Sequence, residues 1–322
     1  MNQRKMISIV TPCYNEEDNV EHHFERVTRA IEPFRATYDF EFIYTDNMSR
    51  DRTFAILREM AERHANLRAI RFSRNIGANR AIFFGLMEAK GDAAILIQAD
   101  LQDPPELIPD FIRGWEEGYD VVYGQILDRD EGRLMRAFRR LYYWIVASFA
   151  DVAPPQNAGE FRIASRRVLD AIGRYADEDL YLRGAIAHIG FPQKPLPYHR
   201  MRRQGGQSSS SLSYLFGYAV NGLISTSTVV PIRAVTLVGF LSAAFGFLYG
   251  AMNVVIKLLF PQIVPPGLAT VLAIVSFFAG LQLLALGIIG EYIRKIYLQG
   301  LGRPLGFIQD RVGFAEDDAR RS

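Results

Sequence analysis

Two stretches of this 322-residue chain, 234–256 and 268–290, each run for 23 residues without a charge. Each reaches the roughly 20 apolar residues that an α-helix needs to cross a bilayer. A pair of buried core helices would also be apolar. Length, absence of charge and a connection containing Pro261, Pro265, Pro266 and Gly267 favour a transmembrane hairpin instead. Charged residues make up 22% of the chain, and about 26% outside the two stretches, a normal soluble density. The chain therefore reads as a soluble part followed by a membrane part. Arg200, Arg202, Arg203 and Arg233 precede the first stretch, and Arg294, Lys295 and Arg303 follow the second. The connection has only Lys257 at its edge. Basic residues stay on the cytoplasmic side, so the expectation is a multi-pass protein of the cytoplasmic membrane with both termini and the soluble part in the cytoplasm. The expected organisation is a cytosolic domain over 1–210, an interfacial amphipathic helix over 211–230, a hairpin over 231–295 with spans about 234–257 and 268–290, and a cytosolic tail over 296–322.

The balance of charge narrows the function. A net charge of +2 gives no field for binding nucleic acid by bulk charge. Cys13 is the one cysteine, which permits no intrachain disulfide and no cysteine-built metal site. The first apolar run, 6–10, is too short for an export signal and leads into Thr11-Pro12, so no leader is expected.

The soluble part alternates strand-like and helix-like segments. Strands are expected at 6–12, 40–45, 67–72, 93–99 and 119–124, and helices at 16–34, 51–63, 78–89 and 105–117. Repeated β-α-β with continuous apolar strands implies an α/β fold with a mostly parallel, Rossmann-like sheet covered by helices. Ligands of such sheets bind at the carboxyl ends of the strands. The polar clusters fall there: Tyr14-Asn15-Glu16, Asp46-Asn47, Arg74-Asn75 and Gln98-Ala99-Asp100. Arg133, Arg136 and Arg140 share a helical face opposite Leu134, Phe138, Leu141 and Ile145, either an ordinary surface helix or a basic helix resting on anionic lipid. The tail around Glu316, Asp317, Asp318, Arg320 and Arg321 reads as disordered.

Several familiar chemistries are missing. No G-x-G-x-x-G follows the first strand, and there is no P-loop. The five histidines have no zinc spacing. His22 and His23 read as solvated surface, and Cys13 as a packed thiol. Asp100 ends an apolar strand and is followed by Leu101-Gln102-Asp103-Pro104-Pro105. It is either a turn former or a ligand for a hard divalent cation that completes its shell with substrate phosphate.

The motifs Val10-Thr-Pro-Cys-Tyr-Asn-Glu-Glu17, Asp46-Asn-Met-Ser-Arg-Asp-Arg-Thr53, Phe72-Ser-Arg-Asn-Ile-Gly77, Asp100-Leu-Gln-Asp-Pro-Pro-Glu106 and Asn157-Ala-Gly-Glu-Phe-Arg162 carry a resemblance. With the C-terminal hairpin, they make the chain similar to family 2 glycosyltransferases of GT-A fold. Within these it resembles the polyisoprenyl-phosphate group, such as dolichyl-phosphate mannose synthase and bacterial undecaprenyl-phosphate glucosyltransferases. The resemblance implies that Pro12, Tyr14 and Glu16 contact the nucleotide, with Asn15, Asn47, Arg74 and Gln98 around the donor, and that Asp46 holds the base and ribose region. It implies Mg²⁺ or Mn²⁺ held by Asp100 and Gln102. It further implies a nucleotide-sugar donor, with uridine the base by likeness to bacterial members. The acceptor would be a polyprenyl phosphate gripped by Arg129, Arg133 and Arg203, and Glu160 would join the catalytic set. Contact with membrane lipids and a homo-oligomer, a tetramer by resemblance, belong to the same expectation.

The chain departs from the family pattern at charged positions. Asp-x-Asp reads Gln98-Ala99-Asp100, Gly-Asp-Phe-Arg reads Gly159-Glu160-Phe161-Arg162, and a lysine that would face phosphate is Ser209. The expected reaction is transfer of a sugar from the nucleotide to lipid phosphate with inversion. Gln98 and Ser209 also fit a second reading, a weak or inactive homologue that binds nucleotide sugar or lipid phosphate as a subunit. A third, transfer to a sugar or protein hydroxyl, would need a general base and leaves the hairpin with less purpose.

Overall fold

The structure is a computed structural model that describes residues 4–127, 155, 157–175, 182–201, 230–259 and 267–314. It divides into two units, one formed by Met1–Ala147, Val152–Thr226 and Pro304–Ser322, the other by Ser148–Asp151 and Ser227–Arg303.

The first unit is an α/β domain. Its leading strands, β1 (Met6–Cys13), β2 (Asp39–Asp46), β3 (Leu67–Phe72) and β4 (Ala93–Leu96), are largely apolar and mostly buried. Helices α1 (Val20–Ile31), α2 (Thr53–Arg63) and α3 (Ala78–Glu88) make the crossovers. A short 3₁₀ turn, Pro105–Leu107, leads into α4 (Ile108–Glu116), whose proline lies in the first turn, where no intrahelical N–H is lost. Then come β5 (Val121–Ile126), β6 (Ala158–Ser165), α5 (Arg166–Ile172), α6 (Leu182–Ile189), β7 (Gln193–Tyr198) and, after the second unit, β8 (Ile308–Val312). The sheet order is β7-β5-β6-β4-β1-β2-β3-β8. β6 and β8 run antiparallel to their neighbours and the other pairings are parallel. The mixed, mostly parallel sheet agrees with the sequence expectation.

Three strands were not foreseen. β7 contains Pro195 and Pro197 and sits at a sheet edge, where a strand can do without those N–H donors. β8 reads Ile-Gln-Asp-Arg-Val and owes its extended form to pairing with β3. β6 opens Ala158-Gly159-Glu160, where the glycine and the glutamate interrupt the apolar pattern.

One correction concerns His23. It is fully buried, whereas His22 is exposed. His23 lies on the α1 stripe with Val20, Phe24, Val27 and Ile31, and its Nδ1 is 3.1 Å from the Tyr44 hydroxyl. Burial, helped by Arg26 and His22, pushes its pKa down to about 3. The unfolded chain protonates it near 6.5, so the stability of the neutral buried ring is fully present above that pH. It is lost on acidification at up to about 1.4 kcal/mol per pH unit until the folded pKa is reached. Chemical denaturation from pH 7 to 5 is therefore expected to show a steeper loss of stability for the native chain than for His23→Phe. Equal slopes would mean that the ring charges without unfolding. Cys13 is also buried, and burial followed by Asp46, Glu16 and Asp51 pushes its thiol up, which agrees with a packed thiol.

The second unit is a pair of long helices, α7 (Val230–Leu259, 30 residues) and α8 (Gly267–Leu301, 35 residues). At 1.5 Å per residue α8 is about 50 Å long, beyond the ~30 Å of a hydrocarbon core. Its charges Glu291, Arg294 and Lys295 begin after the uncharged stretch ends. Phe240, Leu248, Leu258, Phe277 and Leu283 are each more than half exposed, which a water-facing helix does not favour. Among the described residues one helix, Phe277–Leu301, is long and apolar enough to cross a membrane. The two-span hairpin expected from the sequence is thus matched by two helices but by one candidate span. The amphipathic helix expected over 211–230 and the basic helix at Arg133 lie outside the described residues, as does the tail from 315.

Candidate active site

The carboxyl ends of β1, β2, β3 and β4 share one edge of the sheet, and the loops that leave them carry most of the expected site. The β1 loop holds Tyr14, Asn15 and Glu16, after Pro12 near the end of the strand. β2 ends on Asp46 and continues into Asn47. Arg74 follows β3 and is exposed; Gln98, Asp100 and Gln102 follow β4. β6 runs the other way, so its first residues, including Glu160, lie at the same edge. Arg129, Arg133 and Arg203 lie outside the described residues.

The first two loops are laced together. The Asn15 N–H donates to Ser49 Oγ at 2.9 Å, and the Arg50 N–H donates back to Asn15 Oδ1 at 2.8 Å. The Glu16 N–H donates to Thr53 Oγ1 at 2.9 Å, while the Glu16 carboxylate accepts from Asn19 Nδ2 at 2.7 Å. Asp46 is fully buried and accepts the Ser49 N–H at 3.2 and 3.3 Å. Arg71 Nε stands 3.4 Å from its Oδ2. Burial pushes the Asp46 carboxyl up, and the Ser49 bonds and Arg71 oppose it without fully reversing it. Asn47 spans two loops: its Nδ2 donates to Asn75 Oδ1 at 3.0 Å, and its Oδ1 accepts the Ile76 N–H at 2.8 Å.

Backbone strain gathers at this edge. Among the described residues the non-glycine positions with positive φ are Asn15, Met48, Leu101 and Asn157. All four are in loops at the carboxyl edge. Asparagine tolerates this conformation; for methionine and leucine it costs of order 1–3 kcal/mol. The strain has a visible product. The residue after Met48 turns its N–H onto Asp46, and the residue after Leu101 turns its N–H onto Asp100 Oδ1 at 3.1 Å. Met48 and Leu101 thus aim the backbone donors that follow them at Asp46 and Asp100.

A second cluster surrounds Asp103, which is 1% exposed. It accepts hydrogen bonds from the Tyr198 hydroxyl and from Arg200 Nε, the latter at 3.1 Å, and the Met201 N–H donates to Gln102 O at 2.9 Å. The Tyr198 ring occupies space left by two glycines. A Cβ at Gly124 would stand 2.6 Å from the ring, and one at Gly159 would stand 3.2 Å from the hydroxyl. Glu160 faces Arg183 Nε at 2.6 Å and Arg162 Nη2 at 3.4 Å. Burial pushes the Glu160 carboxyl up, but Arg183 and Arg162, with Arg200 nearby, reverse that and hold it below the usual glutamate range. Glu160 is therefore an ionised partner of guanidinium groups. Asp103, Tyr198, Arg183 and Arg200 were not singled out from sequence as site residues. Asp103 lay inside a quoted motif, but Arg183 and Arg200 are 23 and 97 residues from the carboxylates they meet, beyond any local pattern.

The oxygen donors at Asp100, Gln102 and Gln98 suit a hard divalent cation. Asp100 is nearly buried, and its Oδ1 already accepts the Gln102 N–H. Asp103 is occupied by Tyr198 and Arg200. Among the described residues no group of three histidine, cysteine, aspartate or glutamate side chains is placed to hold a metal.

Residues 8–173 match the family model described as Glycosyl transferase family 2. The chain is 33% identical over 306 residues to the bactoprenol glucosyl transferase of Shigella phage SfX, covering 95% of this chain and 99% of that protein. It is 32% identical over 308 residues to the uncharacterized glycosyltransferase sll0501 of Synechocystis sp., covering 95% and 96%. Among solved structures it aligns with the mannosyltransferase of Pyrobaculum calidifontis in complex with GDP-Man and Mn²⁺, at 16% identity and a TM-score of 0.47, covering 81% of this chain and 82% of that one.

Proposed function

Because this chain belongs to glycosyl transferase family 2, we propose that it is a membrane-bound enzyme that moves a sugar from a nucleotide sugar, UDP-linked, to a polyprenyl phosphate such as undecaprenyl phosphate. The observation that carries this reading is the extent of the likeness. It covers 95% of the chain with a bactoprenol glucosyl transferase, so the long apolar helices are included as well as the sheet. A soluble acceptor gives those helices no task. Both helices would span the membrane, and the soluble domain would stand on the cytoplasmic side, where the basic flanks point.

Each part of the site then has a role. The loops at Pro12, Tyr14, Asn15, Glu16, Asp46, Asn47 and Arg74 receive the nucleotide at the carboxyl edge of the sheet. Asp100 and Gln102, with Gln98 beside them, would hold Mg²⁺ or Mn²⁺, which when bound supplies positive charge to the departing diphosphate. Arg129, Arg133 and Arg203 would grip the acceptor phosphate by paired hydrogen bonds. That phosphate is ionised at neutral pH, so its oxygen attacks the anomeric carbon without giving up a proton. The sugar–diphosphate bond breaks, the nucleoside diphosphate leaves, and attack from the opposite side inverts the configuration. Catalysis is positioning and electrostatics. Glu160 fits this scheme as an anchor for Arg183 and Arg162.

The test is purified protein in detergent with undecaprenyl phosphate, divalent cation and a panel of labelled nucleotide sugars. Label entering the organic phase supports the reading and names the donor. Label entering protein or water-soluble glycan instead would favour a hydroxyl acceptor.

Gln98 motivates the second reading, a binding subunit with weak turnover, because an amide brings no charge to the cation. Gln98→Asp is expected to lower the half-saturating cation concentration about tenfold, since affinity follows ligand charge. If the native chain binds nucleotide but turns over only after this substitution, the binding-subunit reading gains.

A further inference from the structure

The chain does not end its contribution to the sheet before the long helices. Shortly after α8, at Pro304, it rejoins the first unit. β8 then covers the free edge of β3, pairing Ile308 with Phe72, Asp310 with Arg71 and Arg311 with Ile70. The strands flanking the hairpin in sequence are thus at opposite edges of one sheet.

This return segment meets the loop after β3. The Ser73 N–H donates to Phe307 O at 2.9 Å. A Cβ at Gly306 would stand 3.0 Å from two carbons of Ile76 and 3.6 Å from Phe84, so the segment lies in direct contact with that loop and with α3. Ile308 and Phe314 pack against a small separate cluster of Ile70, Phe72, Ile76 and Ala81. Arg311 Nη2 bonds Glu88 of α3 at 2.8 Å, and Phe314 lies under the guanidinium groups of Arg68 and Arg311. Ile76 is 6% exposed, and its N–H is the donor that orients Asn47. Asn47 in turn bonds Asn75 of the same loop. Arg71, opposite Asp310, is the cation beside Asp46.

We propose that residues 304–314 are a positioning element of the nucleotide site: the segment that leaves the second apolar helix fixes loop 73–77 and, through Ile76 and Asn47, the place of the donor. The inference rests on the reading of that loop as part of the donor site. Its physical basis is that the return segment supplies the Phe307 carbonyl to Ser73 and apolar cover to Ile76 in the short loop between β3 and α3. Without the return segment Ile76 and Phe84 lose apolar cover and β3 becomes an open edge. The soluble domain cut off before the helices would then bind donor poorly even if it folded. No residue of the segment touches the substrate in this account.

The test uses the full chain in detergent, the variant Gly306→Val, and a chain stopped after Arg303. Hydrogen exchange is followed at Ile76 and, as a control, along β1, with UDP-glucose binding measured in parallel. Both variants are expected to exchange the Ile76 amide about tenfold faster with β1 unchanged, and to bind UDP-glucose several-fold more weakly. In turnover, Gly306→Val should raise the donor KM and leave kcat near the native value. Exchanging the two charges of the Arg311–Glu88 pair, by Arg311→Glu combined with Glu88→Arg, should recover affinity lost in either single variant. Unchanged exchange at Ile76, or faster exchange with unchanged donor affinity, overturns the proposal. If the shortened chain also exchanges faster along β1 it has lost its fold, and Gly306→Val alone decides. A native chain that binds no nucleotide sugar defeats the donor-site reading instead, and the exchange at Ile76 still decides whether the segment holds the loop.

Discussion

Asp100→Asn is expected to lower sugar transfer about a thousandfold, the scale on which losing a principal electrostatic contact to a developing charge is felt. The substitution keeps the shape of the side chain and an oxygen for the Gln102 N–H, which now sits 3.1 Å from Asp100 Oδ1. It removes one thing, the negative charge. Gln98 is neutral and Asp103 is bound to Tyr198 and Arg200, so neither replaces that charge. The melting temperature should hold or rise slightly, because a nearly buried charge has been removed. Steady-state rates with the cation varied are the measurement. A variant that keeps a tenth or more of native kcat at saturating cation would show that Asp100 is only a turn former.

Asp103→Ala should produce the second largest loss, in both stability and rate. Tyr198 is 5% exposed and its buried hydroxyl would lose its carboxylate partner, while Arg200 would lose the charge it faces. Taking the partner from a buried polar group costs about 1–3 kcal/mol, and Arg200 adds less because its side chain is 34% exposed. The rate should fall further than the stability does. Asp103, with the Met201–Gln102 backbone bond, ties loop 100–103 to the end of β7, and an ångström of misplacement there can cost about a hundredfold. Tyr198→Phe separates the two effects. It keeps the ring in the space left by Gly124 and Gly159 and removes only the hydroxyl. A loss of about tenfold in kcat with donor KM little changed is expected. If Tyr198→Phe melts earlier but turns over at the native rate, the cluster is structural only.

Much of this was legible in the sequence, and the boundary has physical causes. β1 to β5 are short apolar runs separated by helix-length segments, and each polar cluster that follows a strand is local to its loop. The residues at the carboxyl edge of the sheet could therefore be placed one by one, and their part in holding a donor is proposed. The ion pairs behind it join residues far apart in sequence, and no local pattern announces Glu160 with Arg183 or Asp103 with Arg200. The left-handed turns at Met48 and Leu101 were equally invisible, because neither residue type favours that conformation. His23 was legible and misread: its spacing to Val20 and Val27 places it on the buried stripe of α1, whereas its neighbour His22 faces water. β8 is the opposite case. Its polar sequence takes strand form only because β3 offers an edge, so a segment expected to be tail is part of the sheet.

The mass of the acceptor lipid reports sugar transfer to polyprenyl phosphate directly. Undecaprenyl phosphate is incubated with the detergent-purified chain, Mg²⁺ or Mn²⁺ and the donor chosen from the panel, and the lipid is extracted for mass spectrometry. A lipid heavier by one sugar residue is expected, formed in step with released nucleoside diphosphate and absent with Asp100→Asn. Nucleoside diphosphate released while the lipid keeps its mass, with the sugar found on water or protein, would contradict it.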